Sequence, residues 1–240
     1  MRAQFYERCT FDKCRYFAGE TSYSDGMLTF VSSREAGSIL NCLFAGCETS
    51  ILINNASNKD LPVYNCTFAD NKLRYWGNHA GATFQAFRAD EGKPSTNVIV
   101  NCIFSGNKIA TQESIASGTY YDSDFVSKAT TYKVESSPCL NLVSNSIYVV
   151  YEPAYNGDNP PAMNDFRKVV DVLFNRDADA ELPYYALQKA SRAVDRGLNL
   201  GWTASDKDLA GNSRVIGMAV DLGCYECLDP QHPGLMLILR

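Results

Sequence analysis

The side chains best suited to chemistry in this 240-residue chain gather in a few short stretches. Arg74, Tyr75, Trp76, Asn78 and His79 are the types a glycan platform uses, with aromatic faces for the C–H surface of a sugar and polar groups for its hydroxyls. The plainer alternative is that Tyr75 and Trp76 lie against the wall of the fold. Asp177, Asp179 and Glu181 recur at every second position, and a curved loop would turn them toward one Ca²⁺. That segment lacks the glycine and the length of a calcium-binding hand, so a solvated acidic loop stands against the metal reading. Tyr120, Tyr121, Asp122 and Asp124 form an exposed polar and aromatic connection. Cys224 and Cys227 have CxxC spacing, but His79 and His232 are the only histidines and no second cysteine pair accompanies them. Packing is therefore expected there rather than zinc or redox work. No pair of carboxyl groups can be nominated for glycoside hydrolysis, so no catalytic residue is assigned.

The elements that must position these groups are written as a repeat. Arg-Cys-Thr-Phe at 8–11, Asn-Cys-Leu-Phe at 41–44, Asn-Cys-Thr-Phe at 65–68 and Asn-Cys-Ile-Phe at 101–104 set Cys9, Cys42, Cys66 and Cys102 at intervals of 33, 24 and 36 residues. Periods of this size signal a solenoid. Apolar residues alternate in parity around each cysteine, and turn formers such as Ala45-Gly46, Asp70-Asn71 and Ser105-Gly106-Asn107 follow. Short strands, tight corners and no helical stripe before residue 160 predict an all-β, single-stranded parallel β-helix. Its coils would stack about 4.8 Å apart, Cys upon Cys and Phe upon Phe. The Asn before each Cys is expected at a corner, bonded to the neighbouring coil. The interval after Cys66 is longer than the one before it, and the surplus falls at 71–81, which places the glycan candidates on an outgrown loop.

Five residues beyond each repeat cysteine stand Cys14, Cys47, Asn71 and Asn107, a second ladder that changes from thiol to amide. In-register parallel strands hold Cβ atoms farther apart than a disulfide prefers, so the thiols are expected to be free and buried. Cys14 with Cys47 is the best exception, because a corner can relax. Nine cysteines leave at least one unpaired in a monomer, the expected state.

Composition narrows the function. The chain is 45% hydrophobic, enough for a core, and its net charge of −5 offers no basic field for nucleic acid. No apolar run approaches the roughly 20 residues of a membrane span. The opening residues run directly into the first repeat without a leader, and the expectation is a piece of a longer exported protein. Residues 1–150 read as coils and 151–240 as a closing region, divided by the Pro- and Gly-rich loop at 151–161. Apolar residues at 163, 166, 169, 170 and 173 have helical spacing and predict one short helix. Residues 230–240 are expected to add a strand over an open edge.

Toward the end stand Tyr185-Ala186-Leu187, Ser191-Arg192-Ala193-Val194-Asp195-Arg196-Gly197, Asp208-Leu209-Ala210-Gly211-Asn212-Ser213-Arg214 and Val220-Asp221-Leu222-Gly223-Cys224-Tyr225-Glu226. With the repeats, these motifs resemble the bacterial right-handed parallel β-helix repeat proteins of the pectin-lyase-like superfamily, especially those with a choice-of-anchor Q type C-terminal region. Arg192 and Cys224 depart from the usual Pro and Ala. The resemblance implies a right-handed helix and a structural ending, in which Asp195, Arg214, Asp221 and Glu226 form internal ion pairs and turn caps. It also implies an extracellular or cell-surface protein that binds a polysaccharide or glycan surface, adhesin-like and without catalysis in this chain. The superfamily contains enzymes too, so the alternatives are a lyase or glycoside hydrolase acting on an acidic polysaccharide, and a structural stalk. The Asn-Thr-Asp, Asp-Asp, Gly-His-Gly and Arg-Ile-Lys signatures of polygalacturonase-like enzymes are not found.

Overall fold

The structure, a computed structural model, describes residues 4–17, 26–30, 37–57, 59–74, 81–87, 95–123, 127–130, 140–148, 162–169 and 171–228. Strand follows strand in coils. The first carries β1 (Phe5–Glu7), β2 (Thr10–Asp12), β3 (Arg15–Tyr16) and β4 (Leu28–Phe30), and the second β5 (Ser38–Leu40), β6 (Leu43–Ala45), β7 (Glu48–Thr49) and β8 (Ile51–Asn55). The third carries β9 (Asp60–Tyr64), β10 (Thr67–Ala69), β11 (Lys72–Arg74) and β12 (Ala82–Phe87). The fourth carries β13 (Thr96–Val100), β14 (Ile103–Ser105), β15 (Lys108–Ala110), the four-residue helix α1 (Gln112–Ile115), β16 (Tyr121–Asp122) and β17 (Ser127–Thr130). Then come β18 (Leu140–Tyr148) and β19 (Ala162–Lys168).

Each strand pairs with its counterpart one coil away, so all ladders are parallel except β15 with β16. One ladder runs β1-β5-β9-β13 and another β2-β6-β10-β14; the long β18 pairs with both and joins them into a single sheet. A second sheet runs β3-β7-β11-β15-β16 and a third β4-β8-β12-β17. The described coils are thus built almost entirely of parallel strands, and the fold is all-β and solenoid-like.

Two left-handed corners explain how the repeat bends. Arg8, Asn41, Asn65, Asn101 and Asn145 have φ of 53°, 52°, 51°, 57° and 41°, and Lys13, Gly46, Asp70 and Gly106 have φ of 51°, 61°, 56° and 70°. Asn, Asp and Gly tolerate this region best, which is why they recur one residue before and four residues after each cysteine. Between the corners a three-residue strand turns its Phe inward. The rings of Phe11, Phe44, Phe68 and Phe104 stack face to face with centroids 4.6, 4.9 and 5.1 Å apart, and Phe84 of the third sheet meets Phe68 edge-on at 5.2 Å. Cys42, Cys66 and Cys102 lie fully buried beside them, and Cys9, on the first coil, is partly exposed.

The amide ladder works as expected. Asn71 Nδ2 donates to Phe44 O and to Asn107 Oδ1, both at 2.9 Å, while Cys47 N donates to Asn71 Oδ1 at 2.9 Å. Each bond ties one coil to the next.

Residues 171–228 carry no strand, only two isolated bridges, and pack on the outer face of the ladder at β6, β10 and β14. Strands alternate, so the outward residues Leu43, Ala45, Thr67, Ala69 and Ile103 would face water if uncovered. They are buried against Val172, Phe174, Ala186, Leu187, Ala193, Leu222 and Cys224. The ladder's small residues let backbone approach closely: a Cβ on Gly223 would meet Ile103 Cδ1 and Thr67 Oγ1 at 2.6 Å.

One expectation fails. Residues 162–168 form β19, parallel to β18 in the register Leu142↔Ala162 through Tyr148↔Lys168, and not the short helix that apolar spacing predicted. The unpaired edge of β18 supplies a ladder partner, and long-range pairing overrides local periodicity. The only helix among the described residues is α1. The terminal strand expected at 230–240 lies outside the described residues.

Candidate functional site

The second sheet turns a row of charges outward. Its register sets Arg15 beside Glu48, Glu48 beside Lys72, Lys72 beside Lys108 and Lys108 beside Asp122. Four of these positions lie six residues after the repeat cysteines, where the parity opposite to the buried Thr49 and Leu73 faces water. With Arg74 on the same face, five described coil positions and their neighbours carry four cations against the carboxylates of Glu48 and Asp122. The local balance is positive in a chain of net charge −5.

Contacts hold the row in order. Glu48 receives Arg15 Nε at 3.0 Å on one oxygen and Arg74 Nη1 at 3.4 Å on the other, and the Tyr120 hydroxyl donates to it at 3.5 Å. Lys108 Nζ lies 3.5 Å from Asp122. Aromatic rings interleave: the Arg74 guanidinium sits 3.7 Å from the Phe17 ring centre, and Lys72 Nζ lies 5.6 Å from that of Tyr120. Burial first, then the Glu48 carboxylate, raises the Tyr120 phenol above its usual range and keeps it a donor. Tyr121 is exposed next to it. The arrangement offers cations and hydroxyl or ring faces at the spacing of the rungs, suited to an extended polar or anionic polymer.

Of the glycan candidates, Arg74 therefore sits within this face, at the end of β11. Tyr75, Trp76, Asn78 and His79 lie outside the described residues. The acidic trio does not converge. Asn175 Oδ1 accepts from Asp177 N at 3.1 Å, and Asp177 Oδ1 from Asp179 N at 3.0 Å, so the loop closes on its own backbone while Asp177, Asp179 and Glu181 point to solvent. Among the described residues, no three His, Cys, Asp or Glu side chains gather closely enough to hold a metal ion. Cys224 and Cys227 are buried, and burial pushes the Cys224 thiol up to about 12. Cys224 packs in the cluster with Leu43 and Ala45, and Cys227 in that with Ala69 and Ile103.

The closing region has a buried polar centre. Arg214 is fully buried, with Nη1 3.2 Å from Glu226 Oε1 and Nη2 donating to the carbonyls of Asp221 and Gly223 at 2.8 Å. Asp221 accepts from Asp195 N and Cys227 N at 2.6 Å, Asp208 from Asn212 N at 2.7 Å and Glu226 N at 3.0 Å, and Asp195 from Met218 N at 2.9 Å. The expected ion pairs and turn caps are thus in place, with Asp208 as an added member. Asp208, Asp221 and Glu226 are all buried around one guanidinium, and desolvation raises both Asp221 and Glu226 above the usual carboxylate range.

The corner asparagines dock this region. Asn65 Nδ2 donates to Asp221 O at 3.0 Å and its Oδ1 accepts from Trp202 Nε1 at 3.0 Å; Asn101 exchanges two bonds with Leu198, at 2.8 and 2.9 Å; Asn145 Nδ2 reaches Arg196 O at 2.8 Å. At the other corner, Asp70 Oδ2 accepts from Arg176 Nη1 at 2.5 Å and from the Tyr185 hydroxyl at 2.8 Å. These residues anchor structure, and their side chains are committed.

Comparisons with family models, with curated proteins and with solved structures return no match.

Proposed function

We propose that this chain is a right-handed parallel β-helix protein, exported to the cell surface, that binds a polysaccharide or glycan surface in the manner of an adhesin and performs no catalysis of its own. The resemblance to pectin-lyase-like repeat proteins with a choice-of-anchor Q ending motivates the handedness and the location. The single observation that carries the binding reading is the outward row of Arg15, Lys72, Arg74 and Lys108, interleaved with Tyr120 on one sheet. A purely structural stalk has no need of cations in register, since like charges at Lys72 and Lys108 on adjacent strands oppose pairing.

The test is a screen of the purified chain against plant, host and microbial polysaccharides, recording binding and the release of reducing or unsaturated ends, with and without Ca²⁺. Binding without product, weakened in Lys72→Ala and in Trp76→Ala, supports the proposal. Product formation replaces it with a lyase or glycoside hydrolase, and silence on both counts favours the stalk.

A further inference from the structure

The thiols of the first two coils are arranged in two different ways. Cys9, Cys42, Cys66 and Cys102 form a continuous column in which Cys42 and Cys66 each contact a thiol neighbour along the stack. The other ladder holds only two thiols. Cys14 lies under Cys47, and the next position is Asn71, whose Oδ1 accepts from Cys47 N and whose amide is bonded onward to Asn107. Cys47 therefore has one thiol neighbour on its ladder, and that neighbour is Cys14, one coil step away, whose carbonyl accepts from Glu48 N at 2.8 Å.

Geometry sets the two cysteines on neighbouring rungs across a coil step. The backbone is paired on both sides of them: Lys13 N donates to Ala45 O and Glu48 N to Cys14 O, each at 2.8 Å. Cys47 Sγ leans toward the first coil, donating to Phe11 O at 3.2 Å. Cys14 is the yielding partner. It precedes β3, the edge strand of its sheet, whose two residues are exposed, and it is itself partly exposed, whereas Cys47 is fully buried.

We propose that Cys14 and Cys47 are a modification site, a dithiol clasp that a small-molecule disulfide closes to join the first coil to the second. The accessible Cys14 thiolate attacks one sulfur of the reagent, forming a mixed disulfide and expelling one thiolate, which takes up a proton. The Cys47 thiol then loses its proton as its sulfur attacks Cys14 Sγ, and a second thiol leaves. The two protein thiols are oxidised by two electrons, and the reagent's disulfide is reduced to two thiols. Burial pushes the Cys47 thiol up to about 12, so the buried partner does not start the reaction; it completes it from the adjacent rung. Closing the bridge joins the first described coil covalently to the second and restricts the unfolded chain.

The reduced full chain is incubated with oxidised glutathione, quenched with an alkylating reagent in denaturant, and mapped by peptide mass spectrometry. The expected product is one peptide pair joined through Cys14 and Cys47, without glutathione on the chain, accompanied by a rise in melting temperature that dithiothreitol reverses. Cys14→Ser abolishes the joined pair and the rise, and Cys9→Ser leaves both unchanged, which guards against a variant that merely fails to fold. A lasting glutathione adduct on Cys14 with Cys47 still alkylated, a Cys9–Cys42 link in its place, or eight unreacted described cysteines overturns the proposal.

Discussion

The solenoid and the region that closes over it are stable for different reasons. In the coils each side chain meets its own kind one step away, Phe44 on Phe68 on Phe104 and Asn71 on Asn107, so the same contact is reused along the axis. In residues 171–228 almost nothing repeats. Backbone groups that lack a ladder are satisfied by individual carboxylates, with Asp195, Asp208 and Asp221 each capping a separate turn and Arg214 holding the centre. A regular backbone satisfies its own polar groups and leaves side chains to fill space; an irregular one must recruit side chains for satisfaction. Among the described residues the buried charged side chains, Asp208, Arg214, Asp221 and Glu226, therefore lie in the half without strands, while the coils bury neutral polar groups such as Asn71 and Asn107.

Substitutions in the two halves should separate these mechanisms. Phe68→Ala removes the middle ring of the stack and should cost about 3–5 kcal/mol. Both halves should unfold earlier in urea, because the solenoid is the platform for the rest; an equal loss from Phe11→Ala, at a ring that is only partly buried, would contradict the stacking account. Arg214→Ala strands buried carboxylates and should also cost about 3–5 kcal/mol, but locally. Limited proteolysis should then cut within 171–228 while the coils stay protected, and simultaneous loss of both would show the halves to be one cooperative unit.

Asn65→Gly keeps a residue that tolerates the left-handed corner while deleting the bonds to Asp221 and Trp202. A loss of about 1–3 kcal/mol from the closing region alone is expected, read as Trp202 fluorescence that shifts before the coils unfold. No shift in that fluorescence would mean that docking rests on the apolar face only.

The buried carboxylates predict a pH trend confined to the same half. Desolvation raises Asp221 and Glu226 above their unfolded values, so the folded state holds a proton that the unfolded chain has released. Stability from this source is fully present below the ordinary carboxylate range and is lost as pH rises through the raised values toward neutrality. The urea midpoint of the closing region should fall between about pH 5 and pH 8, and Glu226→Gln should flatten that slope; parallel slopes would remove Glu226 as the cause. The smallest stability effect is expected on the charged sheet. Lys72→Ala should change unfolding by less than about 0.5 kcal/mol while weakening glycan binding. A large stability change would make the row a structural feature.

Much of the solenoid was readable before any coordinates. Cys-x-Phe at four places predicted the column and the ring stack because inward parity leaves one kind of site to fill, and the change from Cys47 to Asn71 predicted a mixed ladder. The charged row was missed although its signal is present, a charged residue six positions after each cysteine at Arg15, Glu48, Lys72 and Lys108. Attention to clustered residue types hides groups that are distant in sequence and adjacent only through register. The Arg74 neighbourhood was found for that reason in part only. Helical spacing at 163–173 misled because the edge of β18 was invisible.

The sequence by itself determined the repeat, its inward parity, its corner residues and the capping motifs of the ending, since each depends on neighbours a few positions away or on an identical unit one period on. Only the tertiary structure decided that 171–228 covers the outer face of β6, β10 and β14, that the corner asparagines serve as its docking points, and that residues 162–168 add a strand. Those outcomes depend on which surfaces remain unpaired after the coils have formed, and no local pattern of residues records that.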